Sequence, residues 1–315
     1  MNVMRKFALL IATMALALAG CMSASLPAQA VTPPIQSSLV VMPHPDDESQ
    51  AWSLIQNSPS NFKIFAYMTR GEATGYCPTY PYGLDAPGEV APSGGIYPSP
   101  WAKGSQGCVN ARLGSNFNTL QNMGTVDSAL PTHYTYRATY TLPSDGTTIS
   151  DRTVAVYSGG TFGTILSFNL GDGNVTPSEV VWAVHSIQNN LGLLGIPALP
   201  IHNILGPFRN AGNPNCAVYD HPDHYAIQSA LFNTTFANVS YTAAPTCASD
   251  PDVVRTADVT TAAWNSLWAV NGSNIATGFA QKYYGWLTPG HWIAAIGGSQ
   301  SYIFMEHQSF WQHAG

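Results

Sequence analysis

Charge is what this chain has least of. Asp, Glu, Lys and Arg make up 9% of its 315 residues, against roughly a quarter in an ordinary soluble domain. Its 11 Lys and Arg face 17 Asp and Glu, for a formal net charge of −6. Such a chain offers no basic field to track a phosphate backbone, which argues against a nucleic-acid partner. No C-x-x-C pair occurs, so the usual spacing of thiolate metal and redox sites is missing. The apolar run from Phe7 to Ala19 is too short for a good membrane span. Gly159-Gly160-Thr161 and Gly171-Asp172-Gly173 are too short to count as phosphate or dinucleotide loops, and there is no nucleophile elbow. No internal repeat or convincing linker divides the chain.

What is present fits an exported protein. Apolar residues reach 45%, ample for a buried core, while Asn, Ser, Thr, Gly, Tyr and Pro fill the positions that charges usually take. Residues 1–20 read as a signal peptide, with Arg5 and Lys6 ahead of the apolar run. Leu18-Ala19-Gly20-Cys21 has the form of a bacterial lipobox, in which Cys21 is lipidated and heads the mature chain. Ordinary signal-peptidase cleavage after Ala28-Gln29-Ala30 is the competing reading. The expectation is therefore a periplasmic or cell-surface lipoprotein, otherwise a secreted protein, whose only membrane contact is an N-terminal lipid. Residues 21–37 form a Ser/Ala/Pro/Gln tether, and 38–315 a single domain. Cys77, Cys108, Cys216 and Cys247 remain, an even number in an exported chain. Neighbour pairing, Cys77–Cys108 and Cys216–Cys247, is the simplest of three connectivities.

Hydrophobic patterning predicts a buried strand at Leu39-Val40-Val41, a helix through Trp52, Leu54 and Ile55, and a second strand over Lys63 to Met68. Residues 71–107, rich in Pro, Gly, Tyr and Ser, are longer than an ordinary connection. Ala111 to Met123 has helical spacing, and Tyr134 to Leu142 and Thr153 to Tyr157 are β-like. Thr176-Pro177-Ser178-Glu179 is a capping box with Pro at the first helical position. Pro200 to Leu205 reads as a strand, Asp220 to His224 as a helix start, and Thr256 to Tyr284 as mostly helical. Alternating strands and helices predict an α/β fold: a three-layer, open, mostly parallel sheet with helices on both faces and a site beyond the carboxyl ends of the strands.

Two short segments hold most of the metal-binding potential. In Pro43-His44-Pro45-Asp46-Asp47-Glu48, His44 and Asp47 are three apart at a strand-to-helix turn, so both can address one point. In Asp220-His221-Pro222-Asp223-His224, His221 and His224 repeat that spacing. Catalytic zinc sites use three nitrogen or oxygen ligands and keep one position open. His44, Asp47 and His224 supply that set for Zn2+ or another divalent cation, leaving Asp46 and His221 for proton transfer. His133, His185, His202, His291 and His307 sit in weaker surroundings, the last two in an aromatic-rich tail with Trp286, Trp292 and Trp311.

Pro43 to Glu48 resembles the P/A-H-P-D-D-E signature of the LmbE-like (PIG-L) de-N-acetylase family, and His221 to His224 its later H-P-D-H. Thr69-Arg70-Gly71-Glu72 resembles the family's T-x-G-E segment, and Arg112-Leu113 with Met123-Gly124 its next R…LG helix. The similarity runs from about Ser38 to Leu231, with Asn116 standing where relatives often carry Glu. The resemblance implies a Rossmann-like fold of the LmbE type and a divalent metal, usually zinc, on His44, Asp47 and His224. It implies Asp46 as general base, His221 as oxyanion stabiliser or proton donor, and Asp223 as the residue that orients His221. Arg70 and Glu72 are candidate substrate contacts, with a structural ion pair the competing role. The expected activity is hydrolysis of the N-acetyl amide of an amino sugar or a glycan carrying one. An amidase acting on another N-acyl metabolite and a non-catalytic glycan-binding lipoprotein are the alternatives.

Overall fold

The strand Ser37–Met42 (β1) is buried along its whole length, as an apolar run covered on both faces must be. In the computed structural model, residues 33–45, 47–58, 60–71, 133–145, 152–209, 220–246, 255–258 and 307–314 are described. So are residues 105–106, 109–110, 113, 116–117, 120–121, 123–124 and 130–131. Eight further strands join β1: Phe62–Tyr67 (β2), Thr135–Leu142 (β3), Arg152–Ser158 (β4), Gly163–Phe168 (β5), Ile201–Leu205 (β6), Tyr241–Thr246 (β7), Arg255–Asp258 (β8) and His307–Ala314 (β9). They form one sheet in the order β3-β4-β5-β2-β1-β6-β7-β9-β8.

The sheet is mixed. Its centre, β5-β2-β1-β6-β7, is parallel, while β3 and β4 at one edge and β9 and β8 at the other pair antiparallel. The expectation of an α/β fold on a mostly parallel sheet holds, with antiparallel ribbons added at the two edges. One correction concerns Thr256: the segment expected to be helical from there begins in β8, whose ladder with β9 takes up its backbone groups. Residues 259–306 lie outside the described residues. No helix among the described residues is long and apolar enough to cross a membrane.

Alternation along the central strands feeds two cores. Leu39, Val41, Ile64 and Ala66 face one side, where they meet the helices Pro177–Asn189 (α2) and Pro222–Asn233 (α3) through Val180, Val184, Ile187, Ile227 and Leu231. Val40, Met42, Phe65 and Tyr67 face the other, against the helix Trp52–Gln56 (α1) and the helical residues Leu120 and Met123. Helices on both faces follow from this two-sided burial. Truncating a fully buried side chain such as Ile227 to Ala costs about 2–5 kcal/mol.

α2 begins as its sequence dictates. Thr176 accepts the N–H of Glu179, the Glu179 carboxylate accepts the N–H of Thr176, and Pro177 occupies the first turn, where no N–H is needed. Arg152 on β4 then fixes Glu179 from the sheet side at 2.8 Å. Pro33–Gly315 forms one unit with β1 as its first regular element, so the strand begins one residue inside the expected tether.

Candidate metal centre

β1 lies between β2 and β6, and its chain leaves toward β2 while β6 flanks the opposite side. In an open α/β sheet a crevice forms at that reversal, beyond the carboxyl ends of the strands. The turn after β1, the turn after β5 and the start of α3, which follows β6, all converge there.

The first turn is shaped by its prolines. Pro43 and Pro45 lack N–H groups and push Met42 and His44 toward extended backbone. Thr69, after β2, holds the Pro43 carbonyl with both its N–H and its hydroxyl at 3.0 Å. Asp47 then folds back: its Oδ2 accepts the His44 N–H at 3.2 Å and lies 3.0 Å from His44 Nδ1. Its Oδ1 takes Gln50 Nε2 at 2.7 Å. Gln50 is itself pinned, because its Oε1 accepts the Phe208 N–H at 3.0 Å and the Phe208 carbonyl accepts Gln228 Nε2 at 2.6 Å. The β1 turn, the chain beyond β6 and α3 are thereby tied together behind Asp47.

α3 brings the second pair. His221 is its N-cap, an unusual residue there, and Nδ1 does the work of the usual capping oxygen by accepting the Asp223 N–H at 3.3 Å. With Nδ1 accepting, the proton of the neutral ring sits on Nε2. His224, fully buried one turn on, places Nε2 3.3 Å from Asp47 Oδ2. The rings of His44, His221 and His224 form a triangle with centroids 4.6, 5.6 and 5.7 Å apart.

The donor set fits a divalent cation. One donor atom each from His44, Asp47 and His224 lies within 4.8 Å of the others, and all three residues are buried. Two imidazoles and a carboxylate match the nitrogen/oxygen set of catalytic zinc sites, and bonds of about 2.0–2.2 Å to one centre put donors a little over 3 Å apart, as seen here. The local electrostatics point the same way. Burial disfavours charge on His44, but hydrogen bonds to Asp172, Asp223 and Asp47 outweigh it and hold the imidazole well above its ordinary pKa. Burial would raise Asp47, yet His224 and His44 together pull it well below the usual carboxylate range. The cluster favours a positive charge at its centre. For His221 the balance reverses: burial, then the neighbouring His44 and His224, push its pKa down, so it is neutral at physiological pH.

Two residues depart from their expected places. The resemblance implies that the Asp223 carboxylate orients His221; instead Oδ2 lies 3.2 Å from His44 Nε2, with the N–H groups of Gly173 (2.8 Å) and Val175 (3.1 Å) donating to the carboxylate. Burial raises Asp223, but the His44 and Gly173 hydrogen bonds prevail and keep it low. Asp172, in a Gly-Asp-Gly too short to be a phosphate or dinucleotide loop, places Oδ1 3.2 Å from the same His44 nitrogen. His44, Asp172, His221 and Asp223 form a second potential ligand group, sharing His44 with the first. The one available signal was a short acid bracketed by glycines after a strand.

Glu48 is fully buried and turned away from this cluster, accepting Tyr67 Oη at 3.1 Å and Asn116 Nδ2 at 3.0 Å. Asn116 thus donates to Glu48. Arg70 is half-buried next to Thr69. His185 packs on Phe236, and His202 on Ser240 and Tyr241, neither in the cluster. Asp46, Glu72, Arg112, Cys21, Cys77, Cys108, Cys216 and Cys247 lie outside the described residues.

Compared with protein-family models, with curated proteins and with solved structures, the chain finds no match.

Proposed function

We propose that the protein is a metal-dependent amide hydrolase of the LmbE-like type that removes an N-acetyl group from an amino sugar or a glycan carrying one. The observation that carries the reading is the meeting of His44, Asp47 and His224, from two segments far apart in the chain, at one buried point beyond the parallel strands. The reaction class rests on the motifs Pro43 to Glu48 and His221 to His224, and the substrate class on what that resemblance implies.

His44, Asp47 and His224 would hold the ion. A divalent cation bound there polarises an amide carbonyl and makes water a stronger nucleophile at neutral pH. The chain's own groups do the rest. Asp46, adjacent to a ligand but not counted among the three, serves as general base for the attacking water. His221 presents an Nε2–H, because Nδ1 is occupied by the Asp223 N–H. That donor stabilises the oxyanion of the tetrahedral intermediate, and Asp46, having taken the water's proton, hands it to the departing amine. Gln50 and its Phe208 partner hold Asp47 in place.

The test is metal analysis of the purified protein together with acetate release from N-acetylglucosamine, N-acetylgalactosamine and chitooligosaccharides. One divalent ion per chain and acetate release that stops on chelation are expected. A protein that takes up no metal, or a loaded one that hydrolyses no N-acyl compound in a panel extended to thiol conjugates, would overturn the reading.

A further inference from the structure

His44 is gripped from both sides. Nδ1 faces Asp47 at 3.0 Å, and Nε2 faces Asp172 and Asp223, each at 3.2 Å. Both contacts on Nε2 trace to one turn, Gly171-Asp172-Gly173. Asp172 reaches the ring directly, and the Gly173 N–H holds the oxygen of Asp223 that touches the same nitrogen. The flanking glycines have φ of +98° and +85°, and a Cβ at either would meet nothing within 4 Å. Their requirement is therefore backbone conformation, left-handed on both sides of the acid, and not space. That conformation delivers a carboxylate and an N–H from consecutive residues to the back of one imidazole.

We infer that Asp172 is a positioning residue for the metal centre: with Asp223 it takes the Nε2–H of His44, which fixes the tautomer so that Nδ1 is the ligating atom. A neutral imidazole carries one N–H, so a ring that donates from Nε2 keeps its lone pair on Nδ1, the nitrogen already turned toward Asp47. Two carboxylates behind the ring also prevent its rotation and raise its basicity as a ligand. Partners of this kind change metal affinity by about 10–100-fold when removed. Asp223 is anchored by two main-chain N–H groups, so Asp172 adds a second acceptor on a nitrogen that the resemblance gave none.

This inference rests on the metal reading above, and the experiment separates the two. Zn2+ affinity of the full-length mature protein is measured by competition with a chromophoric chelator, for the wild type and for Asp172→Asn, with Asp172→Ser as a second variant should the first fold poorly. The expected result is affinity weakened 10–100-fold and a Co2+ absorption spectrum of unaltered intensity. Unchanged affinity overturns the positioning role and leaves the metal centre standing. An altered Co2+ intensity also overturns it, since Asp172 would then be a ligand. A wild type that binds no Zn2+ removes both proposals.

Discussion

Nε2 of His224 lies 3.3 Å from Oδ2 of Asp47, although one residue belongs to α3 and the other to the turn after β1. Nothing local requires that meeting; it is the arrangement that two ligands of one cation would take. His224→Ala or Asp47→Ala should therefore lower bound metal to less than a tenth of stoichiometric, and activity with it, by elemental analysis after desalting. Full metal content in either variant would refute the ligand assignment.

Asp46 is separable from its neighbour by the same measurement. Asp46→Asn should keep one metal per chain while turnover falls on the order of 10²–10⁴-fold, the usual contribution of a general base. If the variant is empty of metal, the roles of Asp46 and Asp47 are exchanged.

The parts of this molecule that were legible in its sequence are those specified locally. β1, β2, β6 and the capping box of α2 follow from runs, alternation and one four-residue motif, and the three candidate ligands follow from residue type and spacing. What stayed hidden depends on strands meeting through space. Asp172 comes within reach of His44 because β5, β2 and β1 run parallel and end at the same edge of the sheet, which no window around Gly171 reveals. The resemblance implies that Asp223 orients His221; the N–H groups of Gly173 and Val175 instead draw its carboxylate across to His44. The antiparallel edge strands look like any other β segments in sequence, because pairing direction leaves little trace in residue type.

Gln50 links the site to stability. Its amide serves both Asp47 and Phe208 from a fully buried position. Gln50→Met keeps the bulk but leaves the Phe208 N–H without its acceptor and Asp47 Oδ1 without its donor. An orphaned buried group costs about 1–3 kcal/mol. Denaturant unfolding of the metal-free protein should show a loss of that size, with weaker Zn2+ binding in the same variant. A midpoint within error of wild type would remove Gln50 from the support of the site.

Cys21 is the residue on which the expected lipid anchor can be tested. Cys21→Ser should move the protein from the membrane fraction to the soluble one in the producing bacterium, and labelled fatty acid should no longer be incorporated. An unchanged distribution would favour cleavage after Ala30 and reject lipidation.

The proton on His44 competes with the metal, which fixes the sign of two pH dependences. The folded-state pKa of His44 stands well above the ordinary 6.5, because Asp172, Asp223 and Asp47 outweigh burial. A raised value means that the folded protein binds this proton more tightly than the unfolded chain. The resulting stability is fully present below pH 6.5 and is lost as pH rises through the folded value. The metal-free protein should therefore lose this contribution toward alkaline pH. A ligating Nδ1 must shed its proton, so metal affinity should rise over the same interval. Because binding to the folded state stabilises it by mass action, the gap between the metal-loaded and metal-free melting temperatures should widen as pH increases. Calorimetric titration in buffers of different ionisation enthalpy should show protons released with each Zn2+ below the His44 pKa. A gap that narrows with pH, or binding without proton release at acid pH, would show that His44 is not the residue the metal displaces a proton from.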